Sequence, residues 1–341
     1  MMSSGSTTPN AALQIIDFHT HTYAPEWRPA ALPSVGHFAR AWPLLSDIDA
    51  QLDALQAASI DGKVLSAPVG SLAPANDTLA LAQIQAINEN FADLVVRHPG
   101  RLFALATIDP WQGDAAAREV ERVQHDLGIG GVVIDAALGD MYLDDSATRP
   151  TFEVAAALGM AVFIHPVSPA AITTRLARGG PIGVLLGRGT DTAASVLGLL
   201  RSGLLHDLPA LNLILPAIAA SALIFAGQAD LYDTDDSMWG GGLPSETRTR
   251  LHLDTMGLDP ALIRFAIELL GSERVLFGTD WPIMRIADRS EILDRFARAG
   301  VTNHATLEAI LGGNTLRLLG QTAGARHLVT GRTTNDPPSS R

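Results

Sequence analysis

Eight short apolar runs recur along the chain, and the stretches between them space their apolar residues as helices do. The runs are residues 13–18, 63–67, 101–108, 131–135, 161–164, 211–215, 251–254 and 275–277. Short runs without polar alternation suit strands buried on both faces, as parallel strands between helices are. Residues 78–97 place Leu79, Ala82, Ile84, Ile87, Phe91 and Leu94 roughly at helical spacing. Residues 114–127 carry Val120 and Val123 on one side and charges elsewhere. Residues 261–270 follow Asp259 and Pro260, a helix start, and stop at Gly271. Eight strands alternating with helices over about 310 residues predict an α/β fold, a (β/α)8 barrel of the TIM type. One domain over residues 11–322 is expected, with disordered tails at 1–10 and 323–341. The competing doubly wound sheet needs a glycine fingerprint after an early strand, but His-Thr-His follows the first run.

Composition narrows the chemistry. With 47% hydrophobic residues the chain can bury a large core, and without cysteine it has neither disulfides nor thiolate metal sites. The formal charge is −12, Lys63 is the only lysine and the arginines are scattered. No basic stripe is present for nucleic acid. The start of the chain is polar and uncharged, unlike a secretory signal, so a cytoplasmic protein is expected. Residues 208–227 are uncharged and long enough for a membrane span. Pro209, Asn212 and Pro216 interrupt them, which favours a strand, a loop and a helix in a protein core.

The chemistry gathers at the ends of the runs. The first ends Asp17-Phe18-His19-Thr20-His21. In an extended chain His19 and His21 share a face, and two imidazoles so placed can bind one Zn²⁺, Mn²⁺, Fe²⁺ or Co²⁺ ion. Alternatively, each is simply satisfied by backbone groups. His165 ends the fifth run and Asp280 follows the eighth. Alone, the first reads as a buried, hydrogen-bonded histidine and the second as a turn residue. In a barrel, strand ends meet at one face, the face that carries catalysis, so the four together predict a metal site.

The motifs Asp-Phe-His-Thr-His, Ile-His-Pro and Phe-Gly-Thr-Asp-Trp-Pro, in that order, resemble the amidohydrolase superfamily. More narrowly, they resemble the branch containing aminocarboxymuconate-semialdehyde decarboxylase and related metal-dependent decarboxylases. Asn88, residues 98–103, residues 141–145 and Gly313-Asn314 extend the resemblance over about residues 13–320. It implies that His19, His21, His165 and Asp280 bind one divalent ion, with zinc the first expectation. The superfamily's bridging lysine would sit at the end of the fourth strand, where this chain has Asp135. A mononuclear site follows. Lys63, at the start of the second strand, is expected to be a solvated surface residue.

One departure bears on mechanism. Relatives carry a histidine followed by glycines after the sixth strand, and here Ala217 stands in its place. His252 and Asp254, sharing a face of the seventh run, are candidates to compensate; His206 is expected on the far side. Three readings follow. In the first, Asp280 hands a proton to carbon as CO₂ leaves a small aromatic or unsaturated carboxylate, which needs no water nucleophile. In the second, Asp280 serves as base for metal-bound water in hydrolysis of an amide, ester or lactone. In the third, the chain is a metal-binding relic. Branch resemblance favours the first. Arg28 and Trp281 are the candidate substrate contacts, by bidentate carboxylate binding and ring stacking. Trp27, Arg175 and Arg178 are further candidates, and Trp239, in a glycine-rich segment, is a candidate lid residue. No macromolecular partner is expected except a second copy of the chain, for which residues 193–200 offer an apolar face.

Overall fold

A computed structural model describes residues 13–29, 37–73, 77–168, 170–231 and 244–320. The expected tails and Trp239 lie outside the described residues. The strands are β1 (Ile16–Asp17), β2 (Gly62–Leu65), β3 (Leu102–Ala104), β4 (Ala106–Thr107), β5 (Gly131–Asp135), β6 (Ala137–Leu138), β7 (Met141–Tyr142), β8 (Ala161–His165), β9 (Asn212–Leu215), β10 (His252–Asp254) and β11 (Val275–Leu276). Apart from the antiparallel hairpin β6–β7, every pairing is parallel. The order runs β1-β2-β3, then β4-β5-β8-β9-β10-β11. The expected run 101–108 is split at Leu105, whose N–H still donates to Leu65 O of β2. The ring closes where Phe18 N donates to Phe277 O and Thr20 bridges in parallel to Trp281. The protein is therefore a (β/α)8 barrel.

Period two sorts the strand side chains. Ala161 and Phe163 of β8 point into the barrel, where they meet Phe18, Val64, Val133 and Ile214. Val162 and Ile164 point outward, into the layer under the helices. Leu316, Leu318 and Leu319, from the last described turns, join the inner cluster. His165 is the next inward residue after Phe163, so the register that fills the barrel also delivers a histidine to its rim.

The helices follow the sequence signals closely. Leu81–Arg97 is tied to β4 by Asn88, whose Nδ2 donates to Thr107 O while its Oδ1 accepts from Thr107 N. Asp259 caps Pro260–Leu270 by accepting from Ala261 N and Leu262 N, and Gly271 stops it at φ +84°. The uncharged segment 208–227 resolves into β9, a turn and the helix Ser221–Ala226. Among the described residues, no helix is long and apolar enough to cross a membrane. The apolar stretch 193–200 lies in the helix Gly180–Arg201, with Ala193, Val196, Leu199 and Leu200 buried against the chain's own core.

Candidate metal centre

His19, His21, His165 and Asp280 meet at one rim of the barrel. All four are buried, and the three imidazoles offer nitrogens within 4.8 Å of one another. Asp280 Oδ1 lies 3.0 Å from His21 Nε2 and 3.6 Å from His19 Nε2. Gly278 permits this approach, since a Cβ there would lie 2.8 Å from His19 Cβ. Asp280 sits in the left-handed region at φ +64°, with its N–H donating to His19 O at 2.7 Å. A non-glycine residue costs of order 1–3 kcal/mol in such a region and is held there by its surroundings.

The neighbours fix which nitrogens face the centre. His19 Nδ1 lies 2.6 Å from Asp254 Oδ2, and Asp254 Oδ1 accepts from Ala217 N and Met256 N. A carboxylate so placed accepts the Nδ1 proton and leaves the Nε2 lone pair inward. Ser66 Oγ donates its one proton to Thr20 O, so it accepts from His21 Nδ1 at 3.1 Å. His21 Nε2 and Asp280 Oδ1 therefore meet lone pair to lone pair, which requires a proton or a cation between them. His19 Nε2 is buried with no hydrogen-bond partner among the described residues. Three imidazoles with inward nitrogens and one carboxylate fit a single divalent ion.

The electrostatics agree. Burial lowers the proton affinity of His165 well below the usual histidine range, with the charges of His21, Arg188 and His19 adding to the effect. Burial also lowers His21, against the pull of Asp280. For His19, burial acts downward, but Asp254 and Asp280 outweigh it and the shift is upward. Burial pushes Asp280 up, yet His21, His19 and Arg188 together hold the carboxyl below its ordinary value.

Beside these four side chains opens a cavity of about 390 Å³. His21, His165, Asp280, Asp135 and Arg188 form its polar wall; Tyr23, Phe38, Leu138, Val167 and Ile283 form its apolar one. Asp135 accepts from Gly70 N at 2.6 Å, while its Oδ1 has no hydrogen-bond partner among the described residues. Burial, joined by the charge of Asp109, pushes Asp135 up to about 7, partly offset by the Gly70 N–H and Arg188.

Several sequence expectations land elsewhere. Lys63 is not a surface residue but fully buried. Its Nζ donates to His21 O at 3.1 Å, Thr22 Oγ1 at 2.8 Å and Gln51 Oε1 at 2.5 Å, and burial lowers the amine to about 7. A long side chain entering at the strand's start reaches the rim by running up the outer layer. Trp281 is buried with its ring 5.0 Å from Lys63 Nζ, in that outer layer, and does not line the cavity. Arg28 is exposed, its guanidinium 6.0 Å from the Trp42 ring, and Trp27 packs edge-on against Phe91. Arg175 and Arg178 are exposed and outside the cavity wall, whereas His206 is exposed away from the cavity as expected. Asp254 shares no wall of the cavity; it stands behind His19. His252 lies at the other end of β10, where burial and the charges of Arg274 and Arg317 lower it to about 4.

Asp135, Arg188 and Tyr23 line the cavity without having been singled out as site residues. Asp135 had a signal, being the inward residue after Val133 at a strand end. Tyr23 also had one, following the histidine pair by two residues; its ring stacks on His21. Arg188 had none: it lies on the helix Gly180–Arg201, far along the chain from His165.

The sequence profile of the family described as Amidohydrolase matches residues 16–321. The chain belongs to the amidohydrolase family. It is 26% identical over 282 residues to 2-amino-3-carboxymuconate-6-semialdehyde decarboxylase of Dictyostelium discoideum, covering 80% of this chain and 77% of that one. It is 27% identical over 268 residues to gamma-resorcylate decarboxylase of Rhizobium radiobacter, covering 73% and 80%. The crystal structure of a dihydroxybenzoic acid decarboxylase from Polaromonas sp. JS666, with bound manganese and 2-nitroresorcinol, superposes with a TM-score of 0.75. That match has 24% identity over 90% of this chain and 97% of the other, and it carries the fold.

Proposed function

We propose that this amidohydrolase-family protein is a metal-dependent decarboxylase of a small aromatic carboxylate. The observation that carries the reading is the placement of Asp280, which touches His21 and faces a cavity of about 390 Å³ with apolar and aromatic side walls. That is room for a single ring. Decarboxylase relatives of both kinds named above support the same reaction class.

His19, His21, His165 and Asp280 would hold the ion. Bound there, a divalent ion supplies positive charge that polarises the substrate's oxygens. Tyr23, Phe38 and Ile283 confine the ring, and Asp280 manages the proton. The bond between ring carbon and carboxylate breaks, its electron pair stays on carbon, and a proton from Asp280 completes the new C–H bond. Solvent then returns a proton to Asp280. No step requires a base to activate water, so Ala217 is no handicap. We propose zinc as the ion, because three imidazoles and a carboxylate suit it. Metal analysis of the purified protein tests this, and manganese at full occupancy would replace zinc in the account.

The reaction is tested with a panel of hydroxy- and aminobenzoates and the zinc- or manganese-loaded protein in D₂O. Release of CO₂ with one deuterium placed on ring carbon is expected. Turnover only of amides, esters or lactones, with solvent ¹⁸O in the product, would assign the protein to hydrolysis instead.

A further inference from the structure

We propose that Arg188 is the anion anchor of the cavity, the residue that selects an acidic substrate over a neutral one of the same shape. The inference deepens the decarboxylase reading and rests on it for the identity of the ligand. Arg188 lies on the helix Gly180–Arg201, and its side chain reaches the cavity wall shared with His165, Asp135 and Asp280. Its Nη2 donates to Pro166 O at 2.8 Å, the carbonyl next to His165. That bond fixes the guanidinium beside the metal ligands. Its Nε is buried and has no hydrogen-bond partner among the described residues. Among those residues no carboxylate lies within ion-pair distance of it either. A guanidinium has five N–H donors in a fixed fork, and this one uses a single bond to protein. What remains is a positioned, half-buried donor set on a residue that lines the cavity, and its fork matches two oxygens of a carboxylate.

The geometry also explains why an arginine is used. The cavity is lined by three carboxyls, Asp77, Asp135 and Asp280, whose negative charge repels an acidic ligand. The positive charge of Arg188, held in place by Pro166 O, offsets them. Arg28, the arginine expected for this task, is exposed and beside Trp42 instead.

The test compares benzoate with benzamide, which share shape and differ in charge, by calorimetric titration of the metal-loaded protein. Arg188→Gln is expected to weaken benzoate binding about 10- to 100-fold, the scale of a hydrogen bond to a charged group. Benzamide affinity should change less than about twofold, and Arg188→Lys should restore part of the loss. A purely structural role, through the bond to Pro166, would weaken both ligands alike and overturn the proposal. So would an unchanged benzoate affinity, or wild-type protein that does not discriminate between the two. Should Arg188→Gln fail to fold, the crystal structure of wild-type protein with benzoate decides. A carboxylate within about 3 Å of Arg188 Nε or Nη supports the anchor, and one bound elsewhere refutes it. Binding is read without turnover, so a failed decarboxylation assay and a failed anchor are separate results.

Discussion

His19 Nδ1 lies 2.6 Å from Asp254 Oδ2, and that contact determines which nitrogen of His19 faces Asp280 and the other two imidazoles. Asp254 is itself held by the N–H groups of Ala217 and Met256, so the imidazole is oriented from behind by a fixed carboxylate. Removing such an outer partner typically costs 10- to 100-fold in metal affinity. Asp254→Asn should therefore bind metal about 10- to 100-fold more weakly than wild type while remaining folded. Competition with a chelator, read against circular dichroism, checks both parts. Unchanged affinity would remove Asp254 from the support of the site.

Asp280→Asn keeps the shape of the side chain and removes its proton chemistry. A general acid contributes typically 10²–10⁴-fold to rate. The variant should lose at least about 100-fold in kcat for CO₂ release. The rate at saturating substrate measures it, with bound metal determined on the same sample. A variant that retains metal and near-normal kcat would place the proton elsewhere.

Lys63 should prove structural. Its amine satisfies His21 O, Thr22 Oγ1 and Gln51 Oε1 at once, in a layer closed to solvent. Lys63→Met fills the volume and leaves Thr22 Oγ1 still donating to Gln51 Oε1 at 2.8 Å, but it removes the donor to His21 O, and a buried unmet acceptor costs about 1–3 kcal/mol. A stability loss of about 1–2 kcal/mol is expected by denaturant titration, after relief of the amine's own desolvation. An equally stable variant would show that the network contributes nothing net.

The acid limit of the fold should trace in part to His252. Its folded-state value is about 4 against an ordinary 6.5, because burial and the charges of Arg274 and Arg317 disfavour the proton. Between those values the unfolded chain binds the extra proton, so stability is lost as pH falls through 6.5 toward 4. From pH 7 to pH 5 the loss from this one residue is about 2 kcal/mol. His252→Asn should therefore show a smaller drop in Tm over that interval than wild type. An identical drop would assign the acid sensitivity to other groups.

Much of this architecture is legible in the sequence, for local reasons. Buried parallel strands are continuous apolar runs, and Asp259 and Gly271 mark helix ends by their own chemistry. His19, His21, His165 and Asp280 stand out because each sits at the end of such a run, where a barrel brings strand ends together. The environment of a side chain is less legible. Lys63 reads as a surface residue because a lysine is seldom buried, and only the packed helix Ile48–Ala57 supplies Gln51 to receive it. Trp281 follows Asp280 in sequence but packs in the outer layer beside Lys63. Arg188 reaches the cavity only through the path of a 22-residue helix, which no local pattern records.

Three imidazoles and Asp280 are placed to share one cation, and anomalous diffraction from crystals of metal-loaded protein shows whether they do. One peak per chain is expected, about 2.0–2.2 Å from a nitrogen of each of His19, His21 and His165 and from an oxygen of Asp280. A peak bound by other residues, or no peak in protein loaded with zinc or manganese, would contradict the account.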